Sequence, residues 1–247
     1  MQKRRQEQIS QILEREKFVT VRYLTHILDC STATINRDLN EMQRLGLLKR
    51  CYGGAEAISG RLPPLVQRQF YMQKEKRRNA KQAAELIQNG ETVFLDASTT
   101  VQHIVPFLSD KKGLTVITNS LFLASELTKY DMDIICLGGR VTERPYVLES
   151  EDTVENAMKY RVDKMFFSLN AVTLRGEVGN SHYLLYKIML KNSKERYFLT
   201  DRAKIVEHST KILCDFSALT GVISDFAFPA ETQALYPNTH FFCTAEK

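Results

Sequence analysis

The stretch Ser31-Thr32-Ala33-Thr34-Ile35-Asn36-Arg37-Asp38-Leu39 leaves the N-terminal end of this chain few folds to adopt. Ser31 has the side chain of an N-cap, a hydroxyl able to accept a backbone N–H of the first helical turn. Ile35, Leu39 and Met42 recur at helical spacing and make one apolar stripe. At about 100° per residue the opposite face carries Ala33, Asn36, Arg37, Asn40 and Arg44, with Thr32 and Thr34 near its start. An arginine forks onto guanine O6 and N7, an asparagine pairs with an adenine edge, and an alanine lies against a thymine methyl. The helix thus has one face for a core and another suited to a major groove. A polar outer face is also what a merely solvated helix shows, so the flanking segments decide.

Those segments complete a helix-turn-helix. Ile9, Ile12 and Leu13 predict a first helix over 6–16, and Phe18-Val19 reads as a short extended piece. Thr20 is suited to cap a second helix with Tyr23, Leu24, Ile27 and Leu28 facing inward, and Asp29-Cys30-Ser31 is a tight turn into the third. In that arrangement the last helix enters the groove. Gly46 is placed to end it as a C′ residue. Leu47-Leu48-Lys49-Arg50-Cys51-Tyr52-Gly53-Gly54-Ala55 then reads as a hairpin, the wing of a winged helix. Lys49, Arg50 and Tyr52, at the Gly53 turn, are expected to touch phosphates and fix register without reading sequence.

Charge supports a polyanion at this end. Residues 1–81 carry 17 Lys and Arg against 8 Asp and Glu, whereas the remainder carries 17 against 21. Lys3, Arg4 and Arg5 have no apolar run behind them, which argues against a secretory signal, and no run approaches the length of a membrane span. Cys30, Cys51, Cys136, Cys214 and Cys243 are scattered, odd in number and without CxxC spacing. They read as reduced thiols of a cytoplasmic protein, with no zinc site or disulfide framework.

Residues 58–72 contain Gly60, Pro63 and Pro64 and read as a linker between a DNA-binding domain over 1–57 and a second domain over 73–247. In the latter, Ala80, Ala83, Ala84 and Ile87 line a helix that stops near Asn89-Gly90. Strand-like runs follow at Thr92–Leu95, Leu114–Ile117, Ile134–Leu137, Met165–Leu169, Tyr197–Thr200 and Val222–Ser224. Helical patterns separate several of them, near Val101–Leu108, Leu121–Leu127, Val154–Met158 and Tyr183–Asn192. The alternation predicts an α/β domain with a mostly parallel open sheet, whose ligands would sit outside the strands' carboxyl ends. Two such ends are rich in hydroxyls, Asp96-Ala97-Ser98-Thr99-Thr100 and Thr118-Asn119-Ser120. Each can offer an anion N–H and O–H donors at a helix start, or serve only as an N-cap. Gly138-Gly139 either admits a ligand closely or makes a turn.

Taken in order, Thr34-Ile35-Asn36-Arg37-Asp38-Leu39, Leu48-Lys49-Arg50-Cys51-Tyr52-Gly53-Gly54-Ala55, Glu75-Lys76, Asp96–Thr100, Thr118-Asn119-Ser120, Gly138-Gly139, and Asp201 with Lys204 resemble the DeoR family of bacterial transcription regulators over nearly the full length. The resemblance implies a winged helix followed by a domain similar to ribose-5-phosphate isomerase. It also implies a homodimeric or homotetrameric repressor of a carbohydrate-metabolism operon, binding a double-stranded operator and released by a phosphorylated sugar, with no cofactor and no metal. Asn36 departs from the family's usual arginine, Ser98 from its glycine, and Asn170-Ala171 from an Asp-Gly pair. Glu149-Ser150-Glu151-Asp152 stands where another glycine is common, and Tyr183-Leu184-Leu185-Tyr186 lacks the usual glutamate. An isomerase needs a carboxylate base, which Asn170 cannot supply, so the chain is expected not to be an enzyme. Lys204 is suited either to a phosphate or to a surface ion pair. Two alternatives remain open: an isomerase-like enzyme with a DNA-binding domain, and a regulator whose effector site is altered or lost.

Overall fold

Two hydroxyls start the helices of the N-terminal unit as their sequence positions imply. Thr20 accepts the N–H of Tyr23 at 3.1 Å, and Ser31 accepts that of Thr34 at 3.2 Å. The computed structural model describes residues 2–16, 18–45, 47–51, 53–57, 72–143, 146–179 and 183–245. The chain divides into two units, Met1–Tyr71 and Met72–Lys247. Gly46, Tyr52 and all of the linker segment except Met72 lie outside the described residues.

In the first unit α1 (Gln2–Glu16), β1 (Phe18–Thr20), α2 (Val21–Ile27) and α3 (Thr32–Arg44) lead into the hairpin of β2 (Lys49–Cys51) and β3 (Gly54–Glu56). The three strands are antiparallel in the order β1-β3-β2. Gly54 is needed where β3 crosses β1, because a Cβ there would lie 2.1 Å from the Val19 carbonyl oxygen. Ile9, Leu13, Val19, Leu24, Ile35, Leu39, Met42, Leu48 and Ala55 form the core. The second helix differs from its expected pattern: only Leu24 is fully buried, and Ile27 is 51% exposed. A seven-residue helix has only about two turns, and Leu28 lies past its end, packing on the core in part.

The second unit is built on seven parallel strands: β4 (Thr92–Leu95), β5 (Thr115–Thr118), β6 (Asp133–Cys136), β9 (Val162–Phe167), β12 (Ser193–Thr200), β15 (Gly221–Ser224) and β16 (His240–Cys243). Their order is β16-β15-β12-β9-β4-β5-β6. The chain starts at β4, winds outward to β6, then returns to β9 on the other side of β4 and winds outward again. The direction reverses between β4 and β9, and in doubly wound sheets that is where a crevice opens beyond the strand ends. Both faces are covered. Val93, Leu95, Phe166 and Leu199 pack with Ala80, Ala83 and Ala84 of the helix Gln73–Glu85. Phe94, Phe167 and Phe198 pack on the other face with Leu185 and Met189 of the helix Tyr183–Asn192. The expected helix at Val101–Leu108 is a 3-10 segment over Val101–Phe107 containing Pro106, whose ring has no N–H for an α-helical bond.

Smaller strands were not expected from the sequence. A hairpin of β7 (Val141–Glu143) and β8 (Val147–Leu148) follows β6. A four-stranded sheet of β10 (Ala171–Thr173), β11 (Glu177–Gly179), β13 (Ile205–Val206) and β14 (Ile212–Asp215) runs in the order β13-β10-β11-β14. No helix among the described residues is long and apolar enough to cross a membrane.

Candidate functional site

The outward face of α3 is one continuous surface. Ala33, Asn36, Arg37, Asn40 and Arg44 line a shallow concavity with Gln2, Lys3 and Gln6 of α1. Ser31, Thr32, Ala33, Arg37, Asn40, Arg44, Lys49 and Gly53 are exposed; Thr34, Asn36 and Arg50 are partly so. Their polar groups are not equally available. Arg44 is paired with Glu41 at 2.6 Å and Lys49 with Glu56 at 2.8 Å. Arg50 donates to Asn40 Oδ1 at 3.0 Å and to Asn36 Oδ1 at 2.9 Å. Arg37 has no hydrogen bond or ion pair among the described residues and stands open to solvent. Beneath this face Asp38, fully buried, is bonded to the Arg5 guanidinium of α1.

In the second unit the loop after β4 reaches the reversal point of the sheet. Asp96 is fully buried there. Its Oδ1 accepts the Ser98 N–H at 3.1 Å and the Ser98 hydroxyl at 2.5 Å. Its Oδ2 accepts the Ser168 N–H, beyond β9, at 3.0 Å and the Tyr186 hydroxyl at 2.9 Å. Burial raises the Asp96 pKa, against the lowering effect of the bonds from Ser98, Ser168 and Tyr186. Asp96 therefore holds the loop together from within. Ser98 is also engaged inside the loop, its oxygen accepting the Val101 N–H at 3.2 Å.

Two lysines converge on the next two residues. Lys76, only 2% exposed, donates to the Thr99 hydroxyl at 3.1 Å. Lys204 donates to the Thr100 hydroxyl at 2.8 Å and to the Ser168 hydroxyl at 2.7 Å, with Asp201 Oδ2 3.5 Å away. Asp201 is itself buried and caps the turn by accepting the Ala203 N–H at 3.2 Å. Lys204 is thus inside the cluster and not in a surface ion pair. Asn119 binds the neighbouring loops together: its Oδ1 accepts the Ala97 N–H at 3.1 Å and its amide donates to the Leu148 carbonyl at 3.3 Å. Thr118 accepts the Ser120 N–H, and Ser120 caps the helix Leu121–Leu127. Asn170 follows β9, partly buried.

Gly138 and Gly139 face a helix start. A Cβ on Gly139 would lie 2.2 Å from Thr153 Oγ1 and 2.4 Å from Ser150 Oγ, and Thr153 donates to the Gly138 carbonyl at 2.7 Å. The glycines admit the N-terminus of the helix Glu151–Met158, which Ser150 caps. Glu151 and Asp152 occupy its first turn, where carboxylates complement the helix dipole.

Ser168 and His103 belong to the cluster and have no signal in the sequence, whereas Lys76 and Tyr186, which also belong to it, stand in quoted motifs without a site role assigned to them. His103 Nδ1 lies 2.9 Å from the Thr99 carbonyl oxygen. Burial, then the charges of Lys76 and Arg77, lower its pKa, and the Thr99 contact opposes them. The unfolded imidazole takes up a proton near pH 6.5, where the folded one still resists it. Stability of this unit should therefore fall as pH drops through about 6.5 toward the depressed folded value. Urea unfolding between pH 7.5 and 5 checks this, with the wild type losing more stability than His103→Gln. Among the described residues no group of His, Cys, Asp or Glu could hold a metal ion.

Comparison with known proteins agrees with this division. Residues 5–61 match the family described as the DeoR-like helix-turn-helix domain, and residues 72–226 match the DeoR C terminal sensor domain. The transcriptional regulator FruR of Bacillus subtilis, described as uncharacterized, is 31% identical over 85% of this chain and 83% of its own. A lactose phosphotransferase system repressor of Staphylococcus epidermidis is 30% identical over 90% of this chain and 91% of its own. Among solved structures, ribose 5-phosphate isomerase A from Neisseria gonorrhoeae is 17% identical, with a TM-score of 0.41 over 54% of this chain and 53% of that one.

Proposed function

Because this chain belongs to the DeoR family of transcriptional regulators, we propose that it represses a carbohydrate-metabolism operon by binding duplex DNA through α3 and its wing, and that a phosphorylated sugar releases it. The observation that carries the sensing half is the pair of ammonium groups, Lys76 and Lys204, on adjacent threonine hydroxyls at the sheet's reversal point. Two cations beside a loop of hydroxyls and backbone N–H groups suit a dianionic phosphate, which would replace the threonines as their partner. Asp201, Asn119 and Asn170 border the same region and suit sugar hydroxyls.

We read the domain as a sensor and not an isomerase. Proton transfer between adjacent carbons needs a carboxylate that can approach the substrate. Asp96 is enclosed by Ser98, Ser168 and Tyr186, Asn170 has no basic oxygen to offer, and Asp201, 1% exposed, is engaged by the Ala203 N–H and the Lys204 ammonium, which disfavours its taking up a proton.

Release follows from linkage. A ligand favouring one arrangement of a homo-oligomer weakens DNA binding if DNA favours another, and each weakens the other by the same factor. Two recognition helices must stand about 34 Å apart to enter successive major grooves. The protein on this reading is cytoplasmic.

Operator affinity measured with and without a panel of pentose and hexose phosphates tests the proposal. A fall in affinity with one of them supports it, and unchanged affinity across the panel defeats the effector half. Turnover of any panel member would defeat the non-catalytic reading. For the DNA half, Arg37→Ala should cost roughly 1–3 kcal/mol of discrimination between preferred and mismatched duplexes, because Arg37 is free to fork onto a guanine edge. Competition binding at fixed salt reads this, and an intact sequence preference would remove Arg37 from the reading set.

A further inference from the structure

Arg50 does not stand alone on the wing. From β2 it crosses to α3 and donates one Nη to Asn40 Oδ1 at 3.0 Å and the other to Asn36 Oδ1 at 2.9 Å. Asn36 is held a second time, its Nδ2 donating to the Thr32 carbonyl at 3.0 Å. Asn36 therefore uses its acceptor and one amide hydrogen inside the unit. Pairing with adenine needs both ends of an asparagine amide, Oδ1 accepting from N6 and Nδ2 donating to N7. An amide oxygen has two lone pairs, but one is taken here by a guanidinium that also fixes how the amide is turned, so an adenine would have to share the oxygen with Arg50 and accept that orientation, which disfavours the pair.

We propose that Asn36 is a positioning residue for Arg50 and not a base reader, and that Asn40, its oxygen also held by Arg50, selects a base edge that only accepts hydrogen bonds, guanine or thymine, and not adenine. The inference rests on the DNA-binding reading above and names the residues that set its specificity. The charge pattern supports it. Arg44 and Lys49 are neutralised by Glu41 and Glu56, whereas the partners of Arg50 are two neutral amides that leave its charge undiminished. The fork has five N–H donors, so those not used on the amides remain for DNA. A cation held in place before binding loses less side-chain freedom on contact than a mobile one. Wing and helix thus form one reading surface, with Arg50 as the joint.

The test uses the full chain and a randomised duplex pool, followed by competition binding on the enriched duplex and its single-base variants. The wild type should enrich guanine or thymine at the position whose preference Asn40→Ala erases. Asn36→Ala and Arg50→Ala should relax the same positions by roughly tenfold each. The double variant should be no weaker than Arg50→Ala alone, because the two residues act as one. Arg50→Lys keeps the charge but cannot fork onto both amides. It should relax sequence preference like Arg50→Ala while keeping the wild-type salt dependence. Hydrogen exchange in α3 confirms that each variant is folded. Enrichment of adenine at the Asn40 position would overturn the proposal, as would multiplicative losses in the Asn36→Ala/Arg50→Ala variant. If the wild type enriches no sequence at all, the DNA-binding reading fails and this inference with it.

Discussion

Arg5→Met should abolish DNA binding while leaving the second unit folded. Arg5 is the hydrogen-bonding partner of Asp38, a carboxylate with no exposed surface, whose other oxygen has no partner among the described residues. Removing the cation strands that charge in the core of a small unit, Met1–Tyr71. Breaking a buried pair from one side costs about 3–5 kcal/mol. A domain of that size has little more than this to lose. The expected result is rapid hydrogen exchange throughout α3, no binding to any duplex, and unchanged exchange in the seven-stranded sheet. The reverse substitution, Asp38→Leu, should be milder, because Arg5 is partly exposed and can turn to water. The double variant Arg5→Met/Asp38→Leu should recover most of the lost protection, since no buried charge then remains. Should Arg5→Met still bind DNA like the wild type, the pair would not be what anchors α3 to α1.

Asp96→Ala should have the largest effect on the second unit. Four donors end on this carboxylate: the Ser98 N–H and hydroxyl, the Ser168 N–H and the Tyr186 hydroxyl. Each buried donor left unsatisfied costs about 1–3 kcal/mol, although removing a carboxylate that burial disfavours gives part of this back. A net loss of about 3 kcal/mol is expected in urea unfolding. The functional loss should be larger still. Without its internal tether the Ala97–Thr100 loop no longer holds Thr99 and Thr100 opposite Lys76 and Lys204. If the proposed phosphorylated effector binds here, the rise in melting temperature it is expected to produce in the wild type should vanish in this variant. Asp96→Asn should fall between the two, one amide oxygen still accepting while its NH2 group confronts donors. An unaltered ligand response in Asp96→Ala would place the effector elsewhere.

Much of this architecture is legible in local chemistry. Thr20 and Ser31 mark helix starts because capping needs only a hydroxyl and three following residues. The apolar runs of β4, β5 and β12 stand out because strands buried on both faces read as continuous hydrophobic stretches. The short strands β10, β11, β13 and β14 do not, since two to four residues of mixed polarity carry no clear period, and β13 pairs with β10 across some thirty residues. The site is legible in its loops but not in its supports. Lys76 lies one turn before the apolar stripe of Ala80, Ala83 and Ala84 in a helix rich in charged residues, and only packing makes it 2% exposed. Tyr186 stands in a segment that the sequence marks as helical and as lacking a glutamate, with nothing to show that its hydroxyl closes the Asp96 network. Gly138-Gly139 invites a ligand in the sequence, whereas its neighbours in space are Ser150 and Thr153. Asn36 and Asn40 read in sequence as free groove-facing amides, and nothing local signals that Arg50, ten or more positions away, donates to both.

The order of the parallel strands has a consequence for synthesis. The winged unit is complete at Glu56, but β9 must lie between β4 and β12, and the outermost strand β16 ends only at Cys243. Translation at roughly 5–20 residues per second separates these two events by something on the order of ten seconds or more. During that interval the winged unit has its whole sequence available for folding, while the β4–β9 reversal still lacks the strands that flank it. The two ends of the chain are therefore expected to fold in succession, the N-terminal one first.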